Sequence, residues 1–372
     1  MKVSTGVQIW GEPFDAVLSE VFEVQTRIAE NVAQALGGRL VQADRQALKR
    51  ASTTSVKAND AYMLGRFHWK QRGTPGALER SAIFFQQAID ADPNFARAYS
   101  GLADAYSLFG FYEVDTTDEP LRRAKAAAMR AIELDPTLAE GHASLAEVLY
   151  YAENDFPRVK QLLERAIKLD SGYATAHQWY GELFWSIGQP RRSILALRKA
   201  KELEPLSAVI SNSLAFPYWI TGDRAAAEKE YLNAQAIDPR HTGAHYFLGI
   251  LYAEEGKLDK AVAEFVAIGM QASRVKPVLR GLGDPTARPA AIAALNSGRM
   301  KHSQLYMALG EYDSAFAMLN RETGGQARFS NTLIRALPWL RQMKGDPRYE
   351  ALLERAGVSD RQLRAAGLTP EQ

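Results

Sequence analysis

The sequence predicts an all-α solenoid of stacked helical hairpins, and three observations carry that prediction. Gly188, Gly222 and Gly256 stand 34 residues apart, and so do Ser171, Pro205, Pro239 and Ser273. Small and aromatic side chains keep the same interval: Ala215, Tyr218, Ala227 and Tyr231 in one unit are followed by Gly249, Tyr252, Ala261 and Phe265 in the next, and only Ala234 gives way to a larger residue, Ile268. No apolar run approaches the roughly 18 residues needed to span a bilayer, and an apolar content of 47% with 24% charged residues is ordinary for a globular chain.

Packing explains each repeated position. Two antiparallel helices approach closely only where side chains are small, and large residues fill the spaces between those crossings. Glycine between the helices stops the first of each pair, and Asp238-Pro239 ends the second. With these positions in register, the 34-residue period resembles the tetratricopeptide repeat. That resemblance implies a right-handed superhelix whose first helices line a concave groove, closed at its C-terminus by a capping helix.

Along the chain, Val3 to Trp10 alternates weakly and reads as one short β-strand, a remnant (residues 1–12) of a domain further upstream, since a lone strand cannot satisfy its own backbone groups. A junction helix and linker follow at 13–50, with Leu18, Val21, Phe22, Ile28, Val32 and Leu36 on one face and Gly37-Gly38 closing the helix. The string QIW.E.FD..L..VF.VQ..IA..VA.AL resembles the junction in bacterial signalling regulators where a TolB-like domain meets tetratricopeptide repeats. Phe14, Ala16 and Glu20 depart from that family's usual tyrosine, arginine and aspartate. The segments AYMLGRFHW (61–69) and PWLRQMKGDPRYEALLERAG (338–357) are similar to the same regulators. Their winged-helix or nucleotide cyclase domains would lie upstream, so neither activity is carried by these residues.

Six repeats are expected over 51–273. The second is nine residues longer than the period, and the excess, the acidic run Phe111 to Glu119, is a surface loop that either contacts a partner or lengthens the turn, and it reads better as the latter. Leu145, Ala146 and Ala166 mark the third repeat, Gly181 and Ala200 the fourth. Pro277, Pro285 and Pro289 break the pattern, and LYMALGEYDSAFAML (305–319) recovers it, so 274–372 reads as a degenerate repeat and a cap.

Composition excludes several functions. A net charge of +2 predicts no strong nonspecific partner, and the absence of cysteine excludes disulfides and thiol chemistry. The first residues lack an apolar signal core, which leaves the cytoplasm as the default address. From Arg39 to Arg80 there are nine Lys or Arg against three Asp or Glu, with Phe67, His68 and Trp69 interleaved. Such a run can bind nucleic acid, but it reads better as a solvated helix face, and nucleic acid is not an expected partner.

His241 and His245 could share one helix face as a metal pair, yet His142, His177 and His245 occupy one repeat slot, which marks packing. No metal site is expected. GxxxxGK[ST], GxGxxG and GxSxG are absent and the carboxylates are scattered, so the sequence predicts neither an enzyme nor a cofactor.

What the resemblance does imply is a partner-binding groove. Its inward positions transfer to Glu147 and Tyr150; to Gln178, Glu182 and Trp185; to Asn212, Phe216 and Trp219; and to Tyr246. Trp185 and Trp219 are one period apart and should be neighbours, as peptide anchors or as rings packed between helices. The lysine and asparagine set that clamps a C-terminal carboxylate in some such domains is missing here. The expected function is a scaffold for a protein or peptide partner; the alternative is the regulatory portion of a transcriptional regulator or nucleotide cyclase, paired through its first strand with an effector.

Overall fold

Among the described residues every regular element is a helix, and no strand occurs. The computed structural model describes residues 53–112, 114–297, 303–322 and 343–371, with Arg335 and Leu340; the expected strand at Val3 to Trp10 and the junction helix lie outside them.

The helices run in antiparallel pairs: α1 (Val56–Lys70) with α2 (Ala77–Ala91), α3 (Ala96–Ser107) with α4 (Glu119–Leu134), α5 (Ala139–Ala152) with α6 (Phe156–Leu169), and α7 (Ala174–Ser186) with α8 (Pro190–Leu203). They continue as α9 (Ala208–Ile220) with α10 (Arg224–Ile237), and α11 (Thr242–Glu254) with α12 (Leu258–Ala267). After them come α13 (Ala272–Gly283), α14 (Arg288–Ser297), α15 (Ser303–Ala308), α16 (Tyr312–Glu322), α17 (Pro347–Arg355) and α18 (Asp360–Ala365).

Several pairs are locked by one large side chain set against one small one, whereas α4 buries only Pro120 and the alanines Ala124, Ala127, Ala128 and Ala131. Leu163, Leu197, Tyr231 and Phe265 recur every 34 residues on the second helices, and none is more than 1% exposed. Gly181 lies so close to Leu197 that a Cβ added to it would sit 2.5 Å from that side chain; at Gly249 the distance to Phe265 would be 2.6 Å. Phe85 fills the same role between Gly65 and Gly101. Gly188, Gly222 and Gly256 end the first helices at φ of 78°, 87° and 72°, a conformation that costs glycine little and other residues more.

The superhelix curves until distant repeats touch. Gly73, in the α1–α2 loop, accepts from both the backbone N–H and the hydroxyl of Thr242 at 3.2 Å. Beside it the Thr74 hydroxyl donates to Asp238 at 2.7 Å. At the C-terminal end, Glu371 lies against α8: its carboxylate accepts from the N–H groups of Arg191 and Arg192 at 3.1 and 3.3 Å. Those are unpaired first-turn donors, where a negative charge is favoured.

The prolines after Ser273 are accommodated within helices: Pro277 sits inside α13 and forgoes one backbone bond, while Pro285 and Pro289 occupy first turns, where no donor is needed. One expectation needs correction: of the stretch from Arg39 to Arg80, the described part from Thr53 onward is not simply a solvated face. Trp69 and Arg72 are buried, and Arg66 turns inward to Asp104 at 3.7 Å.

If the small-against-large contact sets the spacing of the pairs, Gly249→Ala should destabilise the chain by about 1–3 kcal/mol despite the better helix propensity of alanine. In a Phe265→Leu background the same change should cost less, as chemical denaturation of the four variants would show.

Candidate binding site

The tight curvature brings six successive pairs to one place on the inner face. There a cavity of about 80 Å³ is lined by Arg72, by Tyr112 after α3, by Glu147 and Tyr150 of α5, by Gln178, Glu182 and Trp185 of α7, by Asn212 and Phe216 of α9, and by Phe247 of α11. Seven of the nine groove positions inferred from sequence thus border one cavity; Trp219 and Tyr246 stand outside its lining.

The two tryptophans differ in their surroundings. The Trp185 ring packs edge-on against Phe216 at 4.7 Å, and Phe216 in turn meets Trp219 at 5.8 Å, so Phe216 stands in contact with both indoles. Trp219 is 4% exposed and donates its indole N–H to Glu254 at 3.2 Å, whereas Trp185 remains partly exposed. Tyr246 packs edge-on against Phe247 and Phe265.

Polar groups cross the cavity wall as a connected chain. Arg72 donates to Gln178 at 3.0 Å, Gln178 donates to Glu182 at 2.9 Å, and Ser213 donates to the same Glu182 oxygen at 2.7 Å. The guanidinium of Arg72 also lies 4.2 Å above the Trp69 ring, which meets Trp179 edge-on. Glu147 stands beside this chain, 4% exposed, with Oε1 lacking a hydrogen-bond partner among the described residues; so do the indole nitrogen of Trp185 and the side-chain oxygen of Asn212.

Burial dominates the electrostatics. It holds the Glu147 carboxyl well above the usual carboxylate range, with Glu182 and Asp104 adding to the rise and Arg72 and a hydrogen bond from Tyr151 opposing it. Glu182 is raised for the same first reason. Asp104, buried behind the wall with Ser144 as hydrogen-bond donor, is pushed up to about 7.

The insertion Phe111 to Glu119 does more than lengthen a turn, because Phe111 and Tyr112 both line the cavity. Phe111, 40% exposed, is its most accessible aromatic. Sequence reasoning missed these two residues and Arg72. The available signal was a nine-residue excess over the period that begins with two aromatics.

The recurring histidines serve the frame. His142, His177 and His245 each place Nε2 against the carbonyl six residues earlier, at 2.9, 3.1 and 3.0 Å. His241 caps α11 by accepting from Ala244 N–H, and burial pushes its pKa down to about 4. Among the described residues no group of three or more potential metal ligands forms.

No family model matches the chain. Tetratricopeptide repeat protein 37 of Xenopus laevis is 24% identical over 225 residues, 60% of this chain and 14% of that protein. A putative adenylate cyclase 3 of Rhizobium meliloti is 24% identical over 148 residues, 39% of this chain and 25% of that one. The chain therefore spans a quarter or less of the length of these curated relatives. Among solved structures, that of the human IFIT1 dimer with PPP-AAAA superposes with a TM-score of 0.52 at 15% identity, covering 92% of this chain and 78% of the other. That likeness speaks to the fold alone.

The raised carboxyls set a pH dependence. Glu147, Glu182 and Asp104 retain in the folded chain protons that the unfolded chain releases above about pH 4. Their contribution to stability is complete below that pH and is lost as pH rises through the folded values, which for Asp104 is about 7. The unfolding midpoint should fall between pH 5 and pH 8, a span of about three units. Glu147→Gln should flatten the fall and raise the midpoint at pH 8 by about a degree or two; thermal melts monitored by circular dichroism would check both.

Proposed function

We propose that this chain, a tetratricopeptide repeat solenoid, is a non-catalytic scaffold that captures a peptide or partner protein in its concave groove. The inner face of such arrays is an extended surface suited to binding. One observation carries the reading furthest: buried polar atoms of Glu147, Trp185 and Asn212 lack partners where six helical pairs converge on a cavity. Buried polar groups are ordinarily satisfied, and each orphan costs about 1–3 kcal/mol unless something arrives to pair with it. A ligand bringing donors and an acceptor would remove that cost on binding.

The two indoles then have separate roles. Trp185, partly exposed and on the lining, is the anchor; Trp219, buried and bonded to Glu254, fixes the shape behind it. Phe111 supplies an accessible aromatic wall, of the kind that carries much of the affinity in interfaces.

Selecting a displayed random-peptide library on the purified chain, then titrating the enriched peptides as synthetic compounds, tests this. Trp185→Ala and Phe111→Ala should each weaken binding by about tenfold or more, with helical content unchanged. Trp219→Ala should chiefly lower the unfolding midpoint. Enriched peptides that bind the Trp185→Ala, Phe111→Ala double variant undiminished would remove the groove from consideration.

A further inference from the structure

The cavity is electrostatically unbalanced. Among the described residues its one lining cation, Arg72, is already committed: one guanidinium nitrogen donates to Gln178 at 3.0 Å, another to the Trp69 carbonyl at 3.2 Å, and the plane covers the Trp69 ring. Glu182 accepts from Gln178 and Ser213. That leaves Glu147, whose Oε1 has no hydrogen-bond partner among the described residues. The charged and titratable groups facing it are Glu182 from α7, Asp104 from α3, Arg72 from the α1–α2 loop, and Tyr151 on its own helix. Asp104 is turned to Arg66 and Ser144, so two carboxyls share the influence of one occupied guanidinium.

The remaining walls are aromatic. Tyr112, Tyr150, Trp185, Phe216 and Phe247 surround the space, and aromatic faces attract cations. A carboxylate or phosphate entering here would meet Glu147 and Glu182. A purely apolar group would leave Oε1 of Glu147 buried and unsatisfied. A basic head group satisfies both the acid and the rings.

Resting on the groove reading above, we propose that the cavity receives one basic side chain, a lysine or arginine of a protein partner, whose head group pairs with Glu147 within the aromatic walls. A volume of about 80 Å³ suits a single head group rather than a length of backbone. The unpaired indole N–H of Trp185 calls for an acceptor, which a peptide carbonyl next to that side chain provides and a free amine does not. Burial holds the Glu147 carboxyl well above the usual carboxylate range in the empty cavity. The field of the arriving cation favours the carboxylate and lowers it again, so binding drives a proton toward solvent.

Butylammonium and butylguanidinium, compared with neutral 1-pentanol, are the direct probes, titrated by ligand-observed NMR and by tryptophan fluorescence. The cations should bind about tenfold or more tightly than the alcohol, and Glu147→Gln should erase that preference while the folded chain becomes no less stable. Equal binding of cation and alcohol, or a preference unchanged in Glu147→Gln, overturns the proposal. Calorimetry in two buffers of different ionisation heat should show proton release for wild type and none for the variant.

A second arm uses blocked tripeptides. Acetyl-Gly-Lys-Gly-amide should outbind both its Nε-acetyl-lysine form and spermidine, a free polyamine; spermidine as the better ligand overturns the assignment to a protein. Library peptides that bind in a Trp185-dependent way without any lysine or arginine would overturn the proposal while leaving the groove reading intact. Cation binding at Glu147 with no peptide enriched would do the reverse.

Discussion

One steric relation recurs along the array and holds it together: a large side chain on a second helix closes against a glycine on the first, as Phe85 does at Gly65. Leu197 over Gly181 and Phe265 over Gly249 leave no room for even one added methyl group. Because close-packed interiors transmit such distances rather than absorb them, the spacing of these pairs is set by the volume of the large residue. The angle between successive pairs follows, and curvature accumulates from pair to pair.

That accumulated curvature gives the inner face its character. An array bending less would present an open trough; here the α1–α2 loop reaches Asp238 and Thr242, and Glu371 rests on the first turn of α8. Residues from six pairs are thereby forced onto one small cavity, and charged groups that a straighter array would leave wet become buried. The raised carboxyls of Glu147, Glu182 and Asp104 are a consequence of the same bend that positions Arg72 among them.

Much of the fold was legible in the sequence because it obeys a local rule: what a residue does in one repeat, its counterpart 34 residues on does again. Gly222 and Gly256 stop helices for the same reason, and His142, His177 and His245 bond the same carbonyl position. Glu147, Gln178, Glu182 and Asn212, which the family resemblance places on the inner face, do line the cavity. Arg72 and Tyr112 were not legible, because they reach the cavity from outside the repeating helical positions, one by long-range closure of the superhelix and one through an insertion. Pro277 is carried inside α13, since losing one backbone bond there is cheaper than abandoning the contacts of Val275, Val278 and Leu279 in the core.

The distinction between Trp185 and Trp219 turns on the same limit. One period apart, they are equivalent by sequence, yet Glu254 accepts the indole N–H of Trp219 while the corresponding nitrogen of Trp185 has no partner among the described residues. A chain selected for stability alone would have little reason to keep a carboxyl oxygen, an indole nitrogen and an amide oxygen without partners among the described residues around one space, for each side chain could be replaced by an apolar one of similar volume at little cost. Other buried polar atoms, such as Ser193 Oγ and His241 Nε2, also lack a partner among the described residues, but Glu147, Trp185 and Asn212 are the ones that border the cavity, and that shared location is what the proposed groove draws on.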